Sequence, residues 1–353
     1  MLYTSDVKID NLTLCNFRNH KSLSLSFQPG INFLCGQNAK GKTNIIEAIY
    51  YFATTKSFRT SKDFLAICDG ETAANVKMNI ERSFGNVNLE LQLDKTQKKF
   101  LVNGEKMPQM SKALGHFCAV LFSPDELKII KAGPDERRNF IDSAISELSG
   151  SYYDLLLRFE KVLFSRNLLL KRNASDAEIE VYDEQFAALS AKILKQREIF
   201  VKKLSPYAKE TMEFLSGGKD SLSVRYDSPF FGDNIKDEIL DSLGANRMRD
   251  RELGYTSIGP HRDDLVVVSN GKDLRHYGSQ GQQRSAVLAL KLAVFNVIKE
   301  TLGEEPVLLL DDVFSELDNT RAKLLFEKVK GCQTIITGTR ARTSAFCYNK
   351  IKL

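Results

Sequence analysis

Eight residues constrain this chain more than any others: Gly36-Gln37-Asn38-Ala39-Lys40-Gly41-Lys42-Thr43. They fit G-x-x-x-x-G-K-[ST], a pattern that has chemical meaning only where a strand enters it and a helix leaves it. Both flanks agree. An apolar run ending "INFLC" precedes the loop, and "TNIIEAIYYFA" follows, with Ile46, Ile49 and Tyr50 on one helical face. In such a loop successive backbone N–H groups wrap a β-phosphate and the helix N-terminus adds the positive end of its dipole. Lys42 reaches the β/γ oxygens, and Thr43 can ligate magnesium. A nucleoside triphosphate site is the expectation, and a glycine turn holding no ligand is the alternative.

A second stretch belongs to the same chemistry. "VLLLDD", Val307 to Asp312, reads as a buried strand ending in two carboxylates. Asp311 is placed to hold magnesium through water and Asp312 to orient or deprotonate an attacking water; two acids capping the next turn is the structural alternative. About 30 residues earlier, "YGSQGQQRS", Tyr277 to Ser285, opens an apolar helix and forms a second anion-binding start. A second phosphate-binding face on a one-nucleotide chain suggests a dimer in which each copy completes the other's site. "SELD", Ser315 to Asp318, lies where such a dimer would couple its two sites. Plain helix capping is the other reading of both stretches.

Around these motifs the chain is organised in three parts. Before and after the loop, "KIDNLTLCNF" and "KSLSLSF" alternate as strands do, and Asn75 to Met107 reads as an antiparallel meander, broken at Phe84-Gly85-Asn86 and at the hairpin pair Asn103-Gly104. From about Asp135, two long helix-patterned stretches are joined by "ASDAE". Leu155, Phe159, Val162, Phe164 and Leu169 in the first, and Phe186, Leu189, Ile193, Ile199 and Leu204 in the second, sit at spacings that make apolar stripes. The pair should fold back antiparallel, each arm about 30–50 Å long, either as an ordinary helical subdomain or as a dedicated partner-binding arm. Strand-like segments return from Gly254. The expected division is 1–125 and 249–353 for an α/β ATPase head, with 126–248 as the helical arm.

Composition adds limits. With 353 residues the chain has room for about two domains. Lys and Arg number 50 against 45 Asp and Glu, a balance that permits a polyanionic partner without predicting one. Six cysteines without C-x-x-C spacing read as reduced thiols, and four histidines form no ligand pair at helical spacing, so no zinc site is expected. The N-terminal stretch carries no leader pattern, and no run approaches a membrane span. A cytoplasmic protein without a membrane is the expectation.

Taken together, "FRNH" at Phe17 to His20, "GKTNIIEAI", "KSFRT" at Lys56 to Thr60, "LFSPDELKIIKAGPDERRNFID", "SRNLLLK", "GPHRDDL" at Gly259 to Leu265, "SQGQQRS" and "LLLDDVFSELD" resemble the ABC-type ATPase heads of the structural-maintenance-of-chromosomes group, and within it the RecF family. The resemblance runs through nearly the whole chain. It implies an ABC-type head, a P-loop core with an antiparallel β subdomain, plus a helical arm. It implies ATP and Mg2+ as cofactors, with Gly36 to Thr43 as the phosphate loop and Arg18 and Asn19 near base and ribose. Ser279, Gln280, Gly281 and Gln282 become the signature read by the other subunit's γ-phosphate, Asp311 the magnesium acid and Asp312 the catalytic carboxylate, with Lys42. It further implies an ATP-dependent homodimer that binds double-stranded DNA near single-stranded gaps, hydrolyses ATP slowly in response to DNA, assists recombinase loading in recombinational repair and works with a RecR-type mediator. Arg59, Arg137, Arg138, Lys171 and Arg172 are candidate phosphate contacts, each also readable as a solvated surface charge.

Three departures stand out. Ala39 and Lys40 replace a glycine and a small or polar residue common in the loop, and a positive φ at Ala39 costs on the order of 1 kcal/mol. Gln37 sits where an acid is frequent. Gly338 and Thr339 follow "QTIIT" where related heads carry a switch histidine, which argues against fast hydrolysis and not against binding. The competing classes are an ATPase subunit of a transport complex or of another SMC-like complex, the latter with a far longer arm. The helical insertion with "GPHRDDL" argues against the transport subunit, and the short arm against the long-armed complex.

Overall fold

A computed structural model describes residues 5–82, 85–313, 319–328, 331–339 and 348–353. In chain order the first part contains β1 (Lys8–Phe17), β2 (His20–Ser26), β3 (Ile31–Cys35), α1 (Lys42–Thr54), β4 (Ala73–Arg82), β5 (Gly85–Asp94), β6 (Lys98–Val102), β7 (Glu105–Lys106) and β8 (Ala119–Phe122). The middle holds α2 (Pro134–Leu148), α3 (Gly150–Lys171), α4 (Asp176–Ser216), β9 (Leu222–Asp227) and α5 (Ile235–Leu253). The last part holds β10 (Asp264–Ser269), α6 (Gln280–Leu302), β11 (Val307–Leu310), α7 (Asn319–Lys328), β12 (Thr334–Gly338) and β13 (Asn349–Lys352).

Two large sheets carry the head. One is antiparallel, ordered β2-β1-β4-β5-β6-β7, and it contains the expected meander with β1 and β2 added at one side. Asn103 and Gly104 turn the hairpin with φ of 51° and 83°, the paired positive values a two-residue type I′ turn requires. The second sheet is parallel, ordered β13-β3-β12-β11-β8. Its period-2 geometry splits neighbouring residues between two cores. Leu34, Leu121, Leu309 and Ile335 join α1 and the antiparallel sheet, whereas Phe33, Val120, Leu308 and Ile336 join α6 and the arm. Because α1 lies within that first core, residues 45–53 are buried without a break. The single apolar face expected for it is too narrow, and even Glu47 is fully enclosed.

The arm departs from its sequence pattern in three ways. The first helical stretch is two helices, broken at Ser149, whose backbone is extended at φ −148° and ψ 100° and whose Oγ caps Tyr152 N. The position after the break has to be glycine, since a Cβ on Gly150 would lie 2.1 Å from the carbonyl oxygen of Ser111. The second helix, α4, is 41 residues long, about 60 Å at 1.5 Å per residue and longer than expected. Third, Phe164 and Ile199 are 66% and 45% exposed. Five residues beyond Phe159 and six beyond Ile193, they are rotated by more than about 100° from the inward stripe. Phe159, Leu169, Phe186, Ile193 and Leu204 are buried.

The two arm helices run antiparallel. Arg166 meets Asp183, Phe159 meets Phe186 and Tyr152 meets Arg197, partners that advance on one helix as they recede on the other. A capping box between Ser175 and Glu178 starts α4 after the short turn. β9 pairs antiparallel with β10, and residue 248 falls inside α5, whose Ile239 and Leu243 share a core with Leu265. Among the described residues no helix is long and apolar enough to cross a membrane.

Candidate nucleotide-binding site

Strand β3, between β13 and β12 in the parallel sheet, delivers Gly36 at its C-terminal end, where ligands of open α/β sheets collect. Gln37, Asn38, Ala39 and Lys40 form the exposed crest of the loop. Ala39 sits at φ 65° and Gly41 at φ 84°, so the strain anticipated at Ala39 is present. Gly41 is required twice over, since a Cβ there would lie 2.3 Å from His20 Nε2 and 2.4 Å from Asn19 Oδ1. As the N-cap of α1, Gly41 supplies no side-chain acceptor, and the first turn holds no acid. The orphan N–H groups and the dipole are thereby left to an anion. Lys42 Nζ lies 2.8 Å from the carbonyl oxygens of both Gly36 and Gln37, poised over the loop.

Across the sheet, β11 ends beside α1. Thr43 Oγ1 donates to Asp311 Oδ1 at 3.0 Å over a separation of 268 residues. Thr337, at the end of β12, donates to the same oxygen at 2.7 Å and accepts from Asp312 N at 2.9 Å. Burial raises the Asp311 carboxyl above its ordinary value, an effect the Thr337 and Thr43 hydroxyls oppose. Asp312 is exposed with φ 48°, a backbone state that non-glycine residues adopt at a cost. Sequence reasoning missed Thr337. Its signal was a hydroxyl at the last position of the apolar strand "QTIIT".

The "FRNH" turn packs onto the loop. Asn19 Nδ2 donates to Ala39 O at 3.3 Å, Asn44 Nδ2 donates to Asn19 Oδ1 at 2.7 Å, and His20 Nε2 is 3.2 Å from Gly41 O. Arg18 is occupied differently from the expected nucleotide contact: its Nε and Nη2 donate to the buried Glu47 carboxylate and its Nη1 to Leu65 O. Glu47 also accepts from Ser57, while Arg59 Nη1 reaches Asn44 Oδ1 at 2.6 Å. Arg59 therefore stands beside the phosphate loop.

Ser279 and Gln282 at the start of α6 form a reciprocal capping box, and Gln282 Nε2 donates to Asp220 Oδ1. Ser279 and Gln280 are exposed, Gly281 partly so. Among the described residues none of their hydrogen bonds reaches the chain's own glycine loop, so the structure groups Gly36 to Thr43, Asn19, Asp311 and Asp312 and leaves 279–282 apart. Ser315 to Asp318 lie outside the described residues.

Of the candidate phosphate contacts, Arg137 is withdrawn: it is buried and bidentate to Asp264. Arg138 donates to Asp263 O and to Asp135 and is 12% exposed. "GPHRDDL" proves to be a joint between arm and head. Gly259 has φ 113°, and a Cβ there would lie 2.6 Å from the Phe186 ring. Burial lowers His261 to about 4 and raises Asp263 to about 6. Arg197 binds Asp142 and Pro260 O beside them.

Magnesium suits the oxygens at the end of β11. Thr43 and Asp311 are hard donors, and Mg2+ typically takes one or two protein oxygens plus phosphates and waters. Among the described residues no cluster of three His, Cys, Asp or Glu offers a different metal cage.

A glycine loop on a parallel sheet with paired acids after the strand two places along, an antiparallel subdomain and a helical arm define an ABC-type ATPase head of the SMC kind. The family model described as RecF/RecN/SMC N terminal domain matches residues 8–353. The DNA replication and repair protein RecF of Alkaliphilus oremlandii is 42% identical over 343 residues, 95% of this chain and 94% of that protein. The protein of the same name from Clostridium perfringens is 41% identical over 334 residues, 94% of this chain and 92% of its own length. A solved structure of the recombination mediator protein RecF with ATPrS in the RecFOR pathway superposes with a TM-score of 0.91 at 34% identity, covering 98% of this chain and 96% of that one. An Smc head bound to the C-winged helix domain of ScpA, at TM-score 0.56 and 18% identity, shares the fold. The chain belongs to the RecF family.

Proposed function

We propose that this protein is an ATP-dependent DNA-binding ATPase of recombinational and gap repair. The observation that carries the reading is the Thr43–Asp311 hydrogen bond, which brings the phosphate loop and the acid pair together at one end of one sheet. RecF relatives named for DNA replication and repair, and a RecF solved with ATP, support it. Gly36 to Thr43 hold the phosphates, Lys42 meets the β/γ oxygens, and Thr43 and Asp311 hold Mg2+, which when bound neutralises charge on the transferred phosphoryl group. Asp312 orients the attacking water. Asn19 braces the loop at its crest, and Arg18 acts through Glu47 instead of touching base or ribose.

In this reading residues 1–125 and 249–353 form the head and 126–248 the arm. Ser279 and Gln280, exposed at the start of α6, with the partly exposed Gly281 and Gln282, meet the γ-phosphate of a second copy, so ATP closes a homodimer onto duplex DNA near single-stranded gaps. Hydrolysis is slow and stimulated by DNA, release follows it, and a RecR-type mediator in the cytoplasm links the complex to recombinase loading. The test is Ser279→Arg. Each monomer keeps its own phosphate loop and should bind ATP, but ATP-dependent dimerisation, measured by light scattering with and without gapped duplex DNA, should be lost. A variant that dimerises like the parent overturns the shared-site reading, whereas Lys42→Ala retaining ATP binding overturns the nucleotide site itself.

A further inference from the structure

Helix α3 buries Tyr152, Phe159, Arg166, Leu169 and Leu170. Its outer face is not the polar one that water selects. Leu157, Phe164 and Leu168 are 37%, 66% and 48% exposed, and separations of seven and four residues set them within about 40° of one another around the helix. Single exposed apolar side chains are ordinary, but a row of three large ones on one helix marks a contact surface. The row is about 16 Å long at 1.5 Å per residue. At one end Leu157 also lines, with Tyr153 and Glu160, a cavity of about 790 Å³ beside α1 and α2.

Charge says what covers it. Lys161 and Lys171 lie within about 60° of the row around the helix and Arg158 about 80–120° to one side of it; all three are exposed and none of them forms an ion pair among the described residues, whereas the neighbouring Arg172 is paired with Glu178. Glu160 is the one acid between Leu157 and Lys171. The geometry points to this face as a docking site for an acidic amphipathic helix of a partner protein, with apolar residues laid along Leu157, Phe164 and Leu168 and carboxylates facing Arg158, Lys161 and Lys171. A second copy of the chain would bring the same cations against these, which disfavours self-pairing. Nucleic acid fits less well, because phosphates leave the leucines uncovered and one phenylalanine is not a stacking platform for successive bases.

The test uses the full chain and fluorescently labelled probes in anisotropy titrations. The first is a synthetic helical peptide of about 20 residues with leucines at i, i+4, i+7 and i+11 and glutamates on both flanks; the others are the same peptide with lysines for the glutamates, and an oligo-dT strand. The acidic peptide should bind at least about tenfold more tightly than the basic one and weaken with salt. It should lose at least about tenfold on Phe164→Ala/Leu168→Ala, which removes only exposed groups and should leave ATP binding unchanged. Equal binding of the two peptides, no binding of the acidic one, or full affinity in the double variant overturns the proposal. Loss of oligo-dT binding in that variant without competition from the acidic peptide assigns the face to nucleic acid and overturns it too, as does self-association that the variant abolishes.

Discussion

Thr337→Val is the sharpest probe of how the acid pair is held. The side chains match in shape, so the change removes a hydroxyl and little else. In the parent that hydroxyl donates to Asp311 Oδ1 at 2.7 Å and accepts from Asp312 N at 2.9 Å, and Thr337 is 1% exposed. A hydrogen bond to a charged acceptor contributes about 1.5–3 kcal/mol, and a backbone N–H left without its partner costs about 1–3 kcal/mol. The two losses share one atom and do not add fully, so about 3 kcal/mol is expected. With an unfolding entropy of about 2.1 cal/mol/K per residue over 353 residues, that lowers Tm by about 4 °C in calorimetry. The Asp311 carboxyl, already raised by burial, rises further without the hydroxyl that opposes the shift. The pH at which half-maximal ATP turnover is reached should therefore move up. Thr337→Ser keeps the hydroxyl and should keep both the pH profile and most of the stability. If valine melts within about 1 °C of the parent with an unmoved pH profile, Thr337 does not position the acids.

Asp312→Asn should preserve ATP binding and slow steady-state turnover, since asparagine tolerates the φ of 48° at this position while losing the charge; ATP-bound dimers accumulate, and unchanged turnover moves the role elsewhere. Glu147 is buried and raised to about 8 from an ordinary 4.5. The folded chain thus holds a proton that the unfolded chain releases, and the stability this confers is present below pH 4.5 and lost as pH rises through about 8. Urea unfolding of Glu147→Gln should show its advantage over the parent growing by up to about 1.4 kcal/mol per pH unit across that window, and parallel pH profiles would contradict the assignment. Arg166, fully enclosed, neutralises Asp183 and Asp250. Arg166→Met should cost about 3–5 kcal/mol by leaving the buried Asp250 carboxylate uncompensated while Asp183 keeps Arg247, and adding Asp250→Asn should restore part of the loss in the same unfolding assay.

The strand–glycine loop–helix geometry was legible because it is local. The turn geometry demanded of Ala39 and Gly41 is visible in eight letters. The same holds for the acids after β11 and for the Asn103-Gly104 hairpin, where residue type maps directly onto φ. Periodicity identified the arm but misjudged its outline. The close approach of Ser111 that requires a glycine at 150 comes from a segment about 40 residues away, and the exposure of Phe164 depends on which side of α3 the core occupies.

What tertiary structure decided is everything that joins distant segments. Thr337 becomes part of the site only because β12 lies next to β11, a pairing that no local pattern encodes. Arg18, expected near base and ribose from "FRNH", is bound by Glu47 on α1; Arg137 and Arg138, candidate phosphate contacts, are consumed by Asp264 and by the Asp263 carbonyl. Charge is written in the sequence, but whether a charge is available depends on its neighbours and on burial. Those are set by packing between segments up to 268 residues apart, where side-chain identity alone carries no information about distance.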